Sequence, residues 1–110
     1  MKDMELIPVQ TGAADLVSNH YDLNDIKAFS AAVTFTGTNL VGTLKLEASL
    51  DLATWFDVPN STEAVTASTS VIWSVDPCTY RYIRVNWDYT SGTGNISARL
   101  FLKDPIVKFN

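Results

Sequence analysis

Cysteine and histidine are nearly absent from this 110-residue sequence, which contains one of each, Cys78 and His20. A single cysteine excludes an internal disulfide, and one cysteine with one histidine leaves a zinc site without its usual ligands. We interpret Cys78 as a small buried hydrophobe and His20 as a packed or hydrogen-bonded surface residue. The two residues lie far apart in the sequence, so they do not indicate a nucleophile with its base.

Charge is also sparse, since Asp, Glu, Lys and Arg make up 18% of the chain and neither sign forms a run. The formal net charge is −4, and nucleic-acid binders usually carry a basic stripe, so we expect no nucleic-acid partner. Apolar runs are only a few residues long, and we expect no membrane partner. Residues 1–5 lack the apolar core of a signal peptide. We therefore expect the chain to stay in the cytoplasm or to leave it by lysis or within a larger particle.

Sequence motifs for catalysis are missing as well. There is no P-loop, GxGxxG, HExxH, CxxC or GxSxG motif and no EF-hand spacing. The acidic residues are scattered, and we interpret them as solvated side chains of strands and turns. We expect no catalytic residues, no cofactor and no metal. The protein is therefore expected to have a binding or structural role rather than an enzymatic one. A glycosidase whose two carboxylates are brought together by the fold is the weaker alternative.

Hydrophobic and polar residues alternate along several segments, which is the pattern of a strand with one face in a core and one in water. Between Thr43 and Leu50 every even-numbered residue is apolar and every odd-numbered one is polar or charged. The same alternation recurs at 31–36, 71–75, 81–87 and 96–103. It predicts core residues at Leu46, Val85, Trp87 and Leu100.

Turn-forming residues separate these segments at 36–39, 59–62, 76–77 and 91–94. About seven to nine short strands at this spacing predict one all-β domain over residues 1–110, a sandwich or a barrel. Of these we predict a jelly-roll-like antiparallel β-sandwich. The Ser-Gly-Thr-Gly tract predicts a hairpin between 80–89 and 95–103. We expect at most a helical turn, at 22–28.

The two ends of the chain carry apolar residues among charges and prolines. Pro8 and Pro105 would fit poorly in a central strand. We therefore expect residues 1–10 and 104–110 to form either edge strands or arms that dock on a neighbour. The apolar residues beyond Pro105 are candidates for contacting another protein: Ile106, Val107 and Phe109.

Tryptophan and tyrosine are the most suggestive side chains for binding. By strand parity Trp73 and Trp87 fall with apolar partners and are predicted to lie in the core. Tyr80 and Tyr82 share a face with Arg84, so we expect them to be more exposed. An exposed face of tyrosine and arginine is typical of a protein–protein contact. Exposed aromatic rings also stack on the apolar faces of sugars, which leaves a carbohydrate as the alternative ligand.

Two segments of the sequence resemble a known family when taken together. The first, at 42–59, has a strand, a Ser-x-Asp turn, a tryptophan and a short strand, and the second, at 80–85, reads Tyr-Arg-Tyr-Ile-Arg-Val. Both resemble discoidin-like (F5/8 type C) β-sandwiches, over roughly residues 31–103. The likeness is greatest to small, stand-alone tailed-bacteriophage proteins that are similar to virion structural components. Leu52 departs from the pattern, since a glycine usually follows the aspartate of this turn.

The resemblance implies a discoidin-like sandwich and a non-enzymatic virion structural protein, assembled in the host cytoplasm. It would decorate or stabilise a capsid, or belong to a tail. Its partners would be capsid or tail proteins, copies of itself in a homo-oligomer, or both. The alternative function is a carbohydrate-binding module that uses exposed aromatics on a surface glycan. The candidate interface residues are Tyr80, Tyr82, Arg84, Ile106, Val107 and Phe109.

Overall fold

The computed structural model describes residues 2–23, 26–37, 39–66 and 69–103, and within them the chain forms ten β-strands. The strands are β1 (Lys2–Thr11), β2 (Leu16–Val17), β3 (Tyr21–Asp22), β4 (Ala28–Thr36), β5 (Val41–Ser49), β6 (Phe56–Asp57), β7 (Glu63–Val65), β8 (Thr69–Val75), β9 (Tyr82–Ser91) and β10 (Asn95–Lys103). The described residues contain no helix, and so none that is long and apolar enough to cross a membrane. The all-β prediction is confirmed.

The strands form two antiparallel sheets. One has the order β1-β10-β4-β8, and the other has the order β2-β9-β5-β6, with β3 also on β9 and β7 also on β5. Because β2 and β3 pair with successive parts of β9, and β6 and β7 with successive parts of β5, each of these two pairs fills one strand position. The ten strands then fill eight positions along the chain. The first position pairs with the last (β1 with β10) and the second with the seventh (β2 and β3 with β9). The third pairs with the sixth (β4 with β8) and the fourth with the fifth (β5 with β6 and β7).

The core lies between the inner faces of the two sheets. Leu46, Val85, Trp87 and Leu100 are all fully buried, as the alternation predicts. Trp87 lies against Phe35 of the opposite sheet, with ring centroids 4.8 Å apart. The two sheets therefore meet through large apolar side chains, and their outer faces carry the polar residues of each strand.

β9 and β10 do not form the hairpin predicted from the Ser-Gly-Thr-Gly tract. β9 belongs to the six-stranded sheet and β10 to the four-stranded sheet, so the tract crosses from one sheet to the other. Gly92 has a φ of 88° and packs so closely on Asn39 that a β-carbon would clash with the Asn39 carbonyl. The pairing was mispredicted because strands that face each other across a core alternate just as paired strands do.

The N-terminal residues fold back onto their own domain. They form the edge strand β1, which pairs with β10 but with register shifts between Glu5 and Ile7 and between Ile7 and Gln10. Pro8 lies within the second shift, in an irregular part of an edge strand where proline is tolerated. Residues 104–110, including Ile106, Val107 and Phe109, lie outside the described residues.

We expect Leu100→Ala to lower the free energy of unfolding by about 2–5 kcal/mol, because it leaves a cavity between the sheets. Leu50→Ala is the matched control, since Leu50 is 64% exposed and should change stability by only about 0.5 kcal/mol. Urea unfolding followed by tryptophan fluorescence measures both changes. Equal stabilities for the two variants would show that Leu100 does not support the core.

Candidate binding surface

The outer face of the six-stranded sheet carries a cluster of aromatic and charged side chains. Alternation along β9 buries Ile83 and Val85, so the residues between and beside them point away from the core. The register between β5 and β9 sets Glu47 opposite Arg84. Strand pairing thus brings together side chains that are distant in the sequence.

Glu47 anchors this cluster although it is only 8% exposed. Arg84 donates from Nε to Glu47 Oε1 at 2.7 Å, and Asn86 donates from Nδ2 to Glu47 Oε2 at 3.2 Å. A buried carboxylate is costly without such partners, and here both of its oxygens accept a hydrogen bond. The carboxylate in turn holds the Arg84 guanidinium in one orientation.

A hydrogen-bonded turn follows β5 and leads to the next part of the cluster. Ser49 Oγ accepts hydrogen bonds from the backbone N–H of Asp51 at 3.2 Å and of Leu52 at 2.9 Å. Asp51 Oδ1 accepts from the N–H of Ala53 and of Thr54, both at 2.9 Å. The Ser-x-Asp sequence therefore closes the turn with its own side chains, as these residues commonly do.

The turn places Trp55 over Arg84, whose guanidinium carbon lies 4.1 Å from the centroid of the Trp55 ring. At this distance the cation is attracted to the face of the ring. The His20 ring lies 6.4 Å from Trp55 and 5.8 Å, edge-on, from Tyr82. We call His20, Trp55, Tyr82 and Arg84 the aromatic–arginine surface. His20 is exposed and the other three residues are half-buried.

A second arginine borders this surface. Arg81 donates to both carboxylate oxygens of Asp22, at 2.9 Å and 3.1 Å, and its guanidinium carbon lies 5.2 Å from the Tyr82 ring centroid. An exposed ion pair contributes little to stability. Its fork geometry nevertheless orients Arg81 beside the aromatic rings.

The three predicted interface residues of the described chain, Tyr80, Tyr82 and Arg84, do not all lie on this surface. Tyr82 and Arg84 lie on the aromatic–arginine surface, whereas Tyr80 precedes β9 and packs edge-on against Phe56, with centroids 5.9 Å apart. Both tyrosines are half-buried. His20 and Trp55 were not among the candidate interface residues, because only the folded chain sets them beside Tyr82. A binding role for this surface stays a prediction, as does one for Ile106, Val107 and Phe109.

The described part of the chain also contains scattered acidic side chains and one thiol. Among the described residues, no group of three or more His, Cys, Asp and Glu side chains is placed to hold a metal ion. Cys78 is half-buried, and this burial raises the pKa of its thiol. A higher pKa keeps the sulfur in the neutral form, which is the weaker nucleophile.

Two facing antiparallel sheets define the chain as a β-sandwich, and proteins from viruses and prophages share this fold. The SPBc2 prophage-derived protein YomS is similar with a TM-score of 0.64 and 6% identity, over 93% of this chain and 92% of that chain. A structure of the infectious bursal disease virus Gx strain is similar with a TM-score of 0.53 and 11% identity, over 92% of this chain and 31% of that chain. No family model and no curated protein sequence matches the chain. At these identities the likeness is one of fold.

We expect Leu52→Gly to raise the free energy of unfolding by up to about 1 kcal/mol. Leu52 has a φ of 66°, a left-handed conformation that is unfavourable for a residue with a β-carbon, and glycine's extra freedom when unfolded offsets part of the gain. Leu50→Gly, in the same turn, should instead destabilise the protein. Thermal unfolding compares them, and a loss of stability in Leu52→Gly would show that the leucine's contacts outweigh the backbone strain.

We expect the stability contributed by Asp51 to depend on pH. The backbone N–H groups of Thr54 and Ala53 lower the pKa of the Asp51 carboxyl. Since the folded pKa is below the unfolded value of about 3.9, the contribution is complete above that value and is lost as the pH falls through the folded pKa. Wild type should therefore melt above Asp51→Asn at neutral pH and approach it in acid. A melting difference that stayed constant with pH would contradict this.

Proposed function

We propose that this protein is a non-enzymatic structural component of a virus particle, assembled in the host cytoplasm and attached to capsid or tail proteins. The observation that carries the proposal is the strand pairing, in which eight strand positions pair first with last, second with seventh, third with sixth and fourth with fifth. A long hairpin rolled into two sheets would give this order of strands, and a jelly roll is built in that way. Viral capsid domains use jelly rolls, as do some lectins.

The structural comparisons support the same proposal. The YomS protein comes from a prophage, and the likeness spans nearly all of both chains. The second similar structure is that of a virus, in which the likeness covers 31% of the longer chain. A fold hosts many functions, so the surface of this chain has to contribute the rest of the argument.

The aromatic–arginine surface has the chemistry of a protein contact. Tryptophan, tyrosine and arginine are the side chains that most often dominate the binding energy of protein interfaces. Here Glu47 holds Arg84 and the Ser49–Asp51 turn holds Trp55, so these side chains are ordered before a partner arrives. Preorganised side chains lose less entropy on binding, which favours a stable contact from a small patch.

A carbohydrate-binding module is the second candidate, because the rings of His20, Trp55 and Tyr82 surround one patch. Sugars stack on such rings through their apolar faces. Arg84 already lies over one face of the Trp55 ring, so a stacking platform there would use the opposite face. Binding of the protein to a glycan array, with loss in Trp55→Ala, would favour this candidate.

The decisive experiment tags the chain in the genome that encodes it and purifies the particles that this genome produces. Quantitative mass spectrometry and electron microscopy then show whether the protein is present in copy numbers set by particle symmetry. Density for the sandwich at symmetric positions would support the proposal. Particles that form normally and contain none of the protein would contradict it.

We expect Trp55→Ala to reduce incorporation into such particles by about tenfold or more, because it removes a central aromatic contact. Thr34→Ala is the control, since Thr34 is exposed on the outer face of the other sheet. Both variants are compared at equal concentrations of folded protein, checked by circular dichroism. Equal incorporation of the two variants would place the contact away from the aromatic–arginine surface.

A further inference from the structure

Strand β8 forms an edge of the four-stranded sheet. In the part of the chain that the structure describes, it pairs with β4 alone, through all seven of its residues. Its sequence, Thr-Ser-Val-Ile-Trp-Ser-Val, contains no charge, no proline and no glycine. Ile72, at its centre, is 67% exposed. An edge strand of this kind presents unpaired backbone groups to any strand that can lie beside it.

The other edges of the described sandwich are protected in recognised ways. β1 carries Pro8, Glu5 and two register shifts, each of which hinders the addition of a further strand. The edges of the six-stranded sheet are strands of only two or three residues, β2, β3, β6 and β7. The long, regular and uncharged edge of β8 is therefore the exception among them.

A loop and a groove lie beside β8. Trp73 of β8 donates from Nε1 to the carbonyl of Ser61 at 2.9 Å, which fixes the loop at the inner side of the strand. A groove lies between this loop and β8, lined on one side by Pro59, Asn60 and Glu63 and on the other by Ile72 and Ser74. The part of β8 that lines the groove is its second half, residues 72–75.

We propose that β8 pairs with β8 of a second copy, antiparallel, across a two-fold axis at Ile72. The two four-stranded sheets would then become one continuous sheet through the dimer. A two-fold at the central residue is the arrangement that pairs all seven residues, because it sets residue 69 opposite 75, 70 opposite 74 and 71 opposite 73. Each pair has the same parity, so core faces stay on one side and outer faces on the other.

The residues that would meet are chemically matched, which identifies a second copy as the occupant. On the outer face Ile72 would pack on Ile72, and Ser70 would lie opposite Ser74. Ser74 already makes this kind of cross-strand contact within the sheet, since its Oγ lies 2.9 Å from Ser30 Oγ. On the inner face Val71 would meet Trp73. No like charges would oppose each other in the strand, although each copy has a net charge of −4.

The expected affinity is low in solution. A seven-residue strand is about 23 Å long, and an edge contact of that length buries less than the roughly 1,600 Å² of a standard interface. We expect a dissociation constant of roughly 10 µM to 1 mM. On a particle with many copies, the same contact would gain from high local concentration. The inference does not depend on the particle proposal, because it concerns the isolated protein.

Charge substitutions at the axis test the pairing. We expect wild type to associate in sedimentation equilibrium as its concentration rises to about 1 mM. Ile72→Lys and Ile72→Glu should each stay monomeric, because each sets two like charges directly opposite each other. An equimolar mixture of the two variants should associate again, since lysine then faces glutamate. Leu50→Lys is the control for the added charge at an exposed aliphatic residue, and should associate as wild type does.

Recovery in the mixture would establish that residue 72 meets itself across the axis. The inference is overturned by a wild type that stays monomeric over this range, by Ile72→Lys associating as wild type does, or by a mixture that stays monomeric. Thermal melting checks that the variants fold, which the exposure of Ile72 leads us to expect. If β8 does not self-associate, the proposal of particle incorporation through the aromatic–arginine surface is unaffected, because a separate experiment tests it.

Discussion

The packing of Trp87 between the two sheets is the interaction on which the rest of the structure depends. Its ring contacts Phe35 across the sandwich, and its Nε1 donates to the carbonyl of Gly12 at 2.8 Å. Gly42 approaches the ring so closely that a β-carbon there would clash with it. One side chain thus contacts both sheets and the chain after β1. Because a protein interior is close-packed, these contacts determine the position of β9 in its sheet.

The candidate binding surface follows from that position. With Ile83 and Val85 buried, the intervening Arg84 must lie on the outer face, where the register with β5 supplies Glu47 as its partner. The Ser-x-Asp turn then brings Trp55 onto the guanidinium. The aromatic–arginine surface therefore lies on the outer face of the sheet whose inner face forms the core. The same strand pairing fixes the side chains on both faces.

Local patterns predicted much of this fold, because they depend on each strand having one dry and one wet face. The alternation correctly identified Leu46, Val85, Trp87 and Leu100 as buried, but Leu50, on the apolar parity of β5, is exposed, and Glu47 and Ser49, on its polar parity, are buried. The family resemblance marked Leu52 as a departure from the usual glycine, and its φ is 66°. The same patterns failed for the Ser-Gly-Thr-Gly tract and did not single out His20 as a neighbour of Tyr82. Both depend on contacts between distant parts of the chain. A two-residue alternation shows which face of a strand is buried, but it does not show which other strand lies beside it.

The sequence by itself determined the all-β class, the inward faces of β4, β8, β9 and β10 and much of that of β5, the turn after β5 and the uncharged composition of β8. These are properties of short segments, set by side-chain polarity and backbone preference. Only the tertiary structure decided which strands are neighbours. That choice made Glu47 the partner of Arg84 and left β8 at an edge, because many pairings satisfy the same alternation and packing in the shared core selects one of them.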